Sequence, residues 1–160
     1  DVEWRRASDI WSHPKFRAFD ASCASDVCRG YEPDGWLLGA IAAVGNTPHL
    51  MQQVVGQRDE TRRVFQFRLF HGHWVSVCVD DILPMTARGK LLLGQSDEEG
   101  ELWLPLLHKA YAKLHGGYHR VVTGPGLVHS ALRTLTSGLP QLFFFPDPWP
   151  DFAYQRDAPL

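Results

Sequence analysis

A polar loop that runs directly into an apolar segment, at residues 26–44, constrains this chain more than any other feature. The turn-prone residues end at Asp34, whose carboxylate can accept the free N–H groups of a first helical turn. The segment that follows is apolar on every side, which predicts a helix over residues 35–44 buried at the centre of a domain. A helix that begins at a polar loop is a place for a nucleophile or a bound anion. Here the candidate reactive positions hold Gly35 and Arg29, and neither is a nucleophile.

Length and charge restrict the class of protein. The chain has 160 residues, which is enough for one domain with a sizeable core. Its net charge of −2 provides no basic face for nucleic acid or anionic lipid, and no apolar run approaches the roughly 18 residues of a membrane span. The first residues lack the form of a signal peptide, and the missing initiator Met is expected either for a domain cut from a longer protein or for a processed N-terminus. We therefore expect protein or peptide partners.

The cysteines favour a reducing environment. Cys23, Cys28 and Cys78 are odd in number and form no Cys-x-x-Cys pair, which predicts a cytoplasmic location. Cys28 and Cys78 are also candidate replacement nucleophiles. Because Cys28 lies well before Asp34 and Cys78 lies within an apolar strand, we expect both to be buried, inert thiols.

Hydrophobic patterns predict the remaining elements. Residues 1–34 are expected to be loop-rich, with Trp4, Trp11 and Phe16 anchored on the core. Alternation on either side of His71-Gly72-His73 predicts a hairpin. The other predicted segments are a helix at 48–56 capped by Thr47, a solvated loop at 58–63, strand-closing residues at 80–84, a third strand at 90–93, an amphipathic helix at 101–114 stopped by Gly116-Gly117, and a helix at 126–136.

The last residues differ from the rest of the chain. Phe143, Phe144 and Phe145 are followed by a stretch that mixes Trp149 with three prolines, so a regular central strand or helix is excluded. We expect an extended exit segment or part of an interface, because exposed phenylalanines would form a large apolar patch that must cover the domain or meet a partner.

Five blocks of sequence occur in a recognisable order over residues 2–138. They are Val2-Glu3-Trp4-Arg5-Arg6; Asp26-Val27-Cys28-x-Gly30 with Asp34-x-Trp36-Leu37-Leu38; Gly72-x-Trp74-Val75 with Val79-Asp80-Asp81-x-Leu83-Pro84; Lys109-Ala110-Tyr111-Ala112-Lys113-Leu114; and Ala131-Leu132-x-x-Leu135-Thr136-x-Gly138. In this register the chain resembles the first half of the calpain core, a family of papain-like cysteine proteases. The pattern leans toward the divergent calpains, such as the small-optic-lobes type.

The resemblance implies an α+β fold. The expected architecture is the first lobe of a papain-like calpain core, with a buried central helix, packing helices and a small antiparallel sheet. Residues 1–138 would form this first subdomain, and residues 139–160 would be a divergent tail rich in proline and aromatic residues.

The same resemblance shows what the loop lacks. In the family the loop is Gln-Gly-x-x-Gly-Asp-Cys-Trp, where the Gln donates to the oxyanion hole and the Cys at the helix N-terminus is the nucleophile. This sequence has Arg29 at the Gln position, Pro33 at a Gly position and Gly35 at the Cys position. A glycine has no atom that attacks a carbonyl carbon. The resemblance therefore implies a catalytically inactive module with a regulatory or scaffolding role.

An alternative remains open. The chain would then be a fragment or variant of an active calcium-dependent cysteine endopeptidase that lacks its second lobe here. That lobe carries the family's catalytic His and Asn, and it should start beyond Gly138. The segment from Leu139 onward does not resemble it.

Calcium is a further expectation from the resemblance. The first calpain subdomain binds Ca²⁺ through two carboxylates and loop carbonyls, and the matching carboxylates are Asp26 and Glu101, with carbonyls near Ala21. Hard oxygen ligands of this kind suit Ca²⁺. The competing interpretation is that both carboxylates are solvated charges at helix ends.

Several other polar residues have simpler interpretations. His71 and His73 have the spacing of a metal-chelating pair, but a solvent-exposed turn is favoured. The histidines near one helix end are expected at the surface, beside the C-terminal dipole; they are His108, His115 and His119. Arg29 is expected to pair with Glu32 or Asp34 rather than to bind an acidic peptide in the former cleft.

Overall fold

The computed structural model describes residues 2–16, 27–124 and 126–143. The elements of the first half are, in chain order, strand β1 (Val2–Arg6), helix α1 (Ala7–Ile10), β2 (Val27–Cys28), α2 (Gly35–Gly45), α3 (Pro48–Val54), β3 (Val55–Asp59) and β4 (Val64–Phe70). Those of the second half are β5 (Trp74–Asp80), β6 (Ile82–Thr86), β7 (Gln95–Ser96), α4 (Trp103–Leu114), α5 (Tyr118–Thr123) and α6 (Val128–Thr136). The combination of helices with short antiparallel sheets confirms the predicted α+β class.

The predicted hairpin is formed by β4 and β5. It belongs to a three-stranded antiparallel sheet with the order β3-β4-β5. Successive strand residues point to opposite faces, so β4 buries Phe65, Phe67 and Leu69 on one side. Phe67 lies opposite Val77 in the register. The turn between the strands contains Gly72 at a φ of 77°, a left-handed conformation that glycine adopts without steric cost.

The predicted loop at residues 58–63 is partly wrong, because β3 extends into it. Arg58 lies opposite Phe65 and Asp59 opposite Val64, so both residues belong to the sheet. Charged residues are weak strand formers, but pairing with the edge of β4 overrides that tendency.

The predicted third strand at residues 90–93 is also wrong. Leu91 forms only an isolated bridge with Met85. The carbonyl of Leu92 instead accepts backbone N–H groups from Tyr31 and Glu32, each at 3.0 Å. On its other side the segment bonds to β6, since Leu92 N–H donates to the Pro84 carbonyl and Thr86 N–H to the Lys90 carbonyl. The backbone of this segment therefore connects β6 to the loop before α2 without forming a regular strand.

The N-terminal region is more regular than the loop-rich prediction. Strand β1 pairs antiparallel with β6, and α1 follows it directly. Trp11 and Phe16 pack against the core as expected. Trp4 does not, because it is 55% exposed on a strand whose residues all face solvent.

Helix α2 lies in the core, as predicted. Leu37, Leu38, Ile41 and Val44 are buried, and α2 makes its most extensive helix contact with α6. The burial is not complete, because Gly35, Gly39 and Ala43 lie on an exposed side of the helix.

Helix α4 follows the predicted amphipathic stripe and contributes Trp103, the largest fully buried side chain among the described residues. Gly116 and Gly117 have φ values of 91° and 113° and end the helix as predicted. The short helix α5, which follows at once and buries Val121, was not predicted. Six residues are too few to show a helical period.

The described part of the tail is exposed. Leu139, Leu142 and Phe143 are 87%, 56% and 77% accessible, and residues 139–143 have no regular structure. Phe144, Phe145 and Trp149 lie outside the described residues. The division at residue 138 therefore stays a prediction.

Candidate functional site: the loop and N-terminus of helix α2

Gly35 is the first residue of α2 and is exposed to solvent. A Cβ built on Gly35 meets no heavy atom within 4 Å. The position where the calpain pattern has its nucleophile is thus accessible and sterically open, but it carries no side chain. Glycine supplies no nucleophilic atom at this position, although there is space for one.

The loop before α2 is fastened to residues 92–94 by main-chain contacts. Tyr31 and Glu32 donate to the carbonyl of Leu92. Gly30 packs so closely against Leu93 that a Cβ on Gly30 would lie 2.2 Å from the Leu93 carbonyl oxygen. Gly30 is therefore required for the close approach of two backbones.

Replacing Gly30 with alanine should lower the free energy of unfolding by about 2 kcal/mol, because one of the two backbones must move. Gly39→Ala is the matched control, since a Cβ at that exposed helical position meets nothing within 4 Å. We expect Gly39→Ala to stabilise the chain by roughly 0.5 kcal/mol through helix propensity. Urea unfolding of both variants would measure the two opposite shifts, and equal shifts would contradict the prediction.

Asp34 occupies the N-cap position of α2, but its side chain does not cap the helix. The carboxylate is fully buried, and Oδ2 accepts the N–H of Gly94 at 2.8 Å. The Nε2 atom of His108 lies 3.2 Å from the same oxygen. This separation is within ion-pair range without hydrogen-bond geometry, and Asp34 Oδ1 and both His108 ring nitrogens have no hydrogen-bond partner among the described residues. Asp34 therefore joins the loop to α4 as well as to Gly94.

His108 is wrongly predicted as a surface residue. It is fully buried in α4 and stacks on Tyr118, with ring centroids 5.9 Å apart. The carboxylate of Asp34 is the polar group that faces this buried imidazole, at ion-pair distance and without a hydrogen bond. His119 is exposed, as predicted. His115 is half-buried at the C-terminal cap of α4, 4.3 Å from the ring of Tyr111.

Arg29 is exposed and lines a cavity of about 340 Å³ together with Trp11, Tyr31 and Lys90. The predicted ion pair of Arg29 with Glu32 or Asp34 is not found within residues 27–124. Asp34 is buried against His108 instead.

The carboxylate of Glu101 is buried at the start of α4 rather than solvated. Its Oε2 accepts hydrogen bonds from Ser96 Oγ and from Trp103 Nε1. The other expected calcium ligand, Asp26, and the carbonyls near Ala21 lie outside the described residues. Among the residues that are described, no three His, Cys, Asp or Glu side chains come together as a metal site. Glu101 has the oxygen chemistry that Ca²⁺ prefers, but it supplies only one carboxylate of the set.

The two described cysteines differ from the expectation of buried thiols. Cys78 is exposed on β5, and Cys28 is half-buried with its Sγ 4.0 Å from Asp97 Oδ1. Cys78 alternates onto the solvent face because its neighbours Val77 and Val79 fill the core face. Cys23 lies outside the described residues.

His71 and His73 are exposed at the hairpin turn, as predicted. His71 also meets His115 edge to face, with ring centroids 5.7 Å apart. Burial, and then the charge of His71, hold the pKa of His115 below its usual range. A histidine with a lowered folded-state pKa costs stability as the pH falls below its unfolded pKa, because the unfolded chain takes up the proton first.

Replacing His71 with glutamine should raise the pKa of His115, because one of the two causes is removed. Burial remains, so the value should stay below that of a free histidine. An NMR titration of the imidazole C–H resonances would measure the shift. His119→Gln, on the exposed surface of α5, should leave the titration of His115 unchanged.

The fold and this loop together define the first lobe of a papain-like protease, and comparison with known proteins specifies the family. The calpain family of cysteine proteases matches residues 1–153. Calpain-12 of Mus musculus is 40% identical over 163 residues, covering 98% of this chain and 22% of that protein. The calpain-1 catalytic subunit of Bos taurus is 40% identical over 128 residues, covering 77% of this chain and 18% of that protein. The chain belongs to the calpain family.

The predicted family is thereby confirmed. The leaning toward the small-optic-lobes type stays a prediction, since the relatives named above are calpain-12 and calpain-1. The family match also continues past residue 138 to residue 153, into the segment that the sequence patterns set apart. The chain spans about a fifth of the length of these relatives.

No helix within the described residues is both long and apolar enough to cross a bilayer.

Proposed function

We propose that this chain is a catalytically inactive calpain-like module with a regulatory or scaffolding role. The observation that carries the proposal is Gly35 at the solvent-exposed first position of α2. Hydrolysis by a cysteine protease begins with attack of a thiolate sulfur on the scissile carbonyl carbon, and glycine provides no atom for that step.

The oxyanion position supports the same proposal. In the family a Gln amide donates to the oxyanion at this position, whereas this chain has the longer guanidinium side chain of Arg29. Its side chain is exposed and lies beside Tyr31 and Lys90, so it adds a basic group to the loop rather than a preorganised donor. The loop has its backbone contacts with residues 92–94 but lacks the cysteine thiol and the glutamine amide that perform the reaction in the family.

The test is a hydrolysis assay with casein and a fluorogenic peptide in the presence of Ca²⁺. We expect no turnover by the full chain, and the same baseline for Gly35→Ala. Cys23→Ser, Cys28→Ser and Cys78→Ser each remove one of the three thiols of the chain. Hydrolysis by the wild type that disappears in any of these variants would overturn the proposal and identify a replacement nucleophile.

Calcium binding is part of the proposal. Asp26 and Glu101 are the carboxylates that match the family pattern, and the buried carboxylate of Glu101 lies at the start of α4. When bound, Ca²⁺ would tie the loop before α2 to this helix. Calorimetric titration should show heat of binding for the wild type that is lost in Asp26→Ala. Glu99→Gln, at an exposed position near Glu101, is the control, and identical flat traces for all chains would end the calcium proposal.

The alternative is a fragment of an active calcium-dependent cysteine endopeptidase, located in the cytoplasm and completed by a second lobe. It is favoured by the length comparison, because the chain covers 22% of calpain-12 from Mus musculus. A Gly-His-Ala block and an Asn-Pro-Trp-Gly block downstream in the parent sequence would support it. Activity of that longer protein would still require a nucleophile in place of Gly35.

A further inference from the structure

Two adjoining cavities lie along α6, one on the side of α5 and the other on the side of the β4–β5 hairpin tip. The first, of about 370 Å³, is lined by Trp36 of α2 and by residues of α4, α5 and α6. The second, of about 340 Å³, lies between Phe70 of β4 and Arg133 of α6. Both cavities are lined by His115 and Ser130, which stand between them. We call the combined surface the His115 groove.

The groove has a basic rim. Arg120 lines the first cavity and Arg133 the second, and both side chains are exposed. Neither arginine forms an ion pair within the described residues. The sequence explains this, because no Asp or Glu occurs between Leu102 and Phe143. An overall charge of −2 therefore conceals a face on which arginine side chains lack an acidic partner.

The walls of the groove are largely apolar. Trp36, Val121 and Leu127 line the first cavity. In the second, the guanidinium of Arg133 lies over the ring of Phe70, with its Cζ 5.9 Å from the ring centroid. This contact holds the cation beside an apolar surface.

We propose that the His115 groove binds an acidic peptide segment of a protein partner that carries an apolar side chain. The apolar side chain would occupy the first cavity, beside Trp36 and Leu127. Carboxylates on either side of it would meet Arg120 and Arg133, with the Ser130 hydroxyl available as a further hydrogen-bond partner. The combination of an apolar cavity with basic rims fits such a segment by shape and charge.

A simple inorganic anion fits the groove less well. Both arginines are exposed, and an exposed guanidinium remains well hydrated, so charge alone would give weak binding. Nucleic acid is disfavoured because its backbone would require a longer basic track than two arginines provide. The proposal does not depend on whether the chain hydrolyses peptide bonds.

The test is fluorescence anisotropy with the full chain and a fluorescein-labelled peptide that has several Asp and Glu residues around one Leu. We expect saturable binding that weakens roughly tenfold in Arg120→Glu and in Arg133→Glu, because each reversal replaces an attraction by a repulsion. Arg88→Glu makes the same charge change outside the groove and should bind as the wild type does. Far-UV circular dichroism verifies that each variant is folded.

Peptide controls separate charge from shape. Replacing the acidic residues by their amides, or the Leu by Gly, should each abolish saturable binding. Absence of binding to the original peptide, an equal loss in Arg88→Glu, or competition by inorganic phosphate at equal ionic strength would overturn the proposal. The hydrolysis assay is independent of this result, so failure of the groove and failure of the inactive-module proposal are distinguishable.

Discussion

Replacing Asp34 with alanine is expected to lower the free energy of unfolding by about 3 kcal/mol. The carboxylate is fully buried at the start of α2. Its removal leaves the N–H of Gly94 without the acceptor that now lies at 2.8 Å, and leaves the imidazole of His108 buried without its polar partner. Unsatisfied buried groups of this kind lose their interaction with water and gain nothing in return.

The measurement is chemical denaturation at neutral pH. Glu32→Ala is a matched control, since it removes a carboxylate two residues earlier in the same loop, where the hydrogen bonds to Leu92 and Asp34 are made by the backbone and survive the substitution. The control should change stability by less than about 0.5 kcal/mol. A change this small in Asp34→Ala as well would contradict the role assigned to Asp34.

A double-mutant cycle would isolate the contact with His108. His108→Leu alone leaves the Asp34 carboxylate buried with Gly94 as its partner. If the two side chains interact, the losses from Asp34→Ala and His108→Leu should add to more than the loss in the double variant. Strict additivity would show that Asp34 acts through Gly94 alone.

Replacing Trp103 with alanine should have the largest effect on stability, about 4 kcal/mol. Trp103 is fully buried at the start of α4, and no other fully buried side chain in the described part of the chain is larger. The truncation removes apolar contacts and leaves a cavity that the surrounding helices and strands fill only in part.

Trp103→Phe separates packing from hydrogen bonding. The phenyl ring retains much of the volume but loses the Nε1–H that donates to Glu101 Oε2 at 2.9 Å. We expect a loss of about 1.5 kcal/mol from the buried carboxylate, which keeps Ser96 as a donor. Trp4→Ala, at a 55% exposed position, is the control and should cost much less. A loss in Trp103→Ala no larger than that of the control would contradict the prediction.

Elements with a strong repeating pattern could be predicted from the sequence. Alternation along residues 64–70 and 74–80 specifies the hairpin, and the stripe from Trp103 to Leu114 specifies α4. In both cases the spacing of the apolar residues predicts which face of the element is buried. The loop and start of α2 were likewise located correctly, because turn-prone residues end where the apolar segment begins.

Partners distant in sequence could not be predicted. Asp34 has the sequence position of a helix cap, yet it bonds to Gly94 and faces His108. The neighbouring sequence does not distinguish a helix-capping carboxylate from one that bonds to a distant segment, since both roles provide the carboxylate with polar partners. His108 lies in a histidine-rich segment that is typical of a surface. Its burial depends on how α4 packs in the folded chain, which the local sequence does not show. Strand β1 was missed because its partner, β6, lies on the other side of the hairpin.

The groove was missed for a different reason. The absence of acidic residues between Leu102 and Phe143 is visible in the sequence, but the overall charge of −2 hides it. Only the packing of α5 against α4 and of α6 against β4 brings Arg120, His115 and Arg133 around the same pair of cavities.

The open space beside Gly35 has a consequence for how such a chain changes over generations. Because a Cβ at this position meets nothing within 4 Å, cysteine, serine, alanine and glycine would leave the packing of the core alike. Cellular quality control, which responds to misfolding, would not detect the exchange of one for another. A calpain lobe can thus lose its reaction in one mutational step and keep its abundance, its shape and every surface through which it meets other proteins.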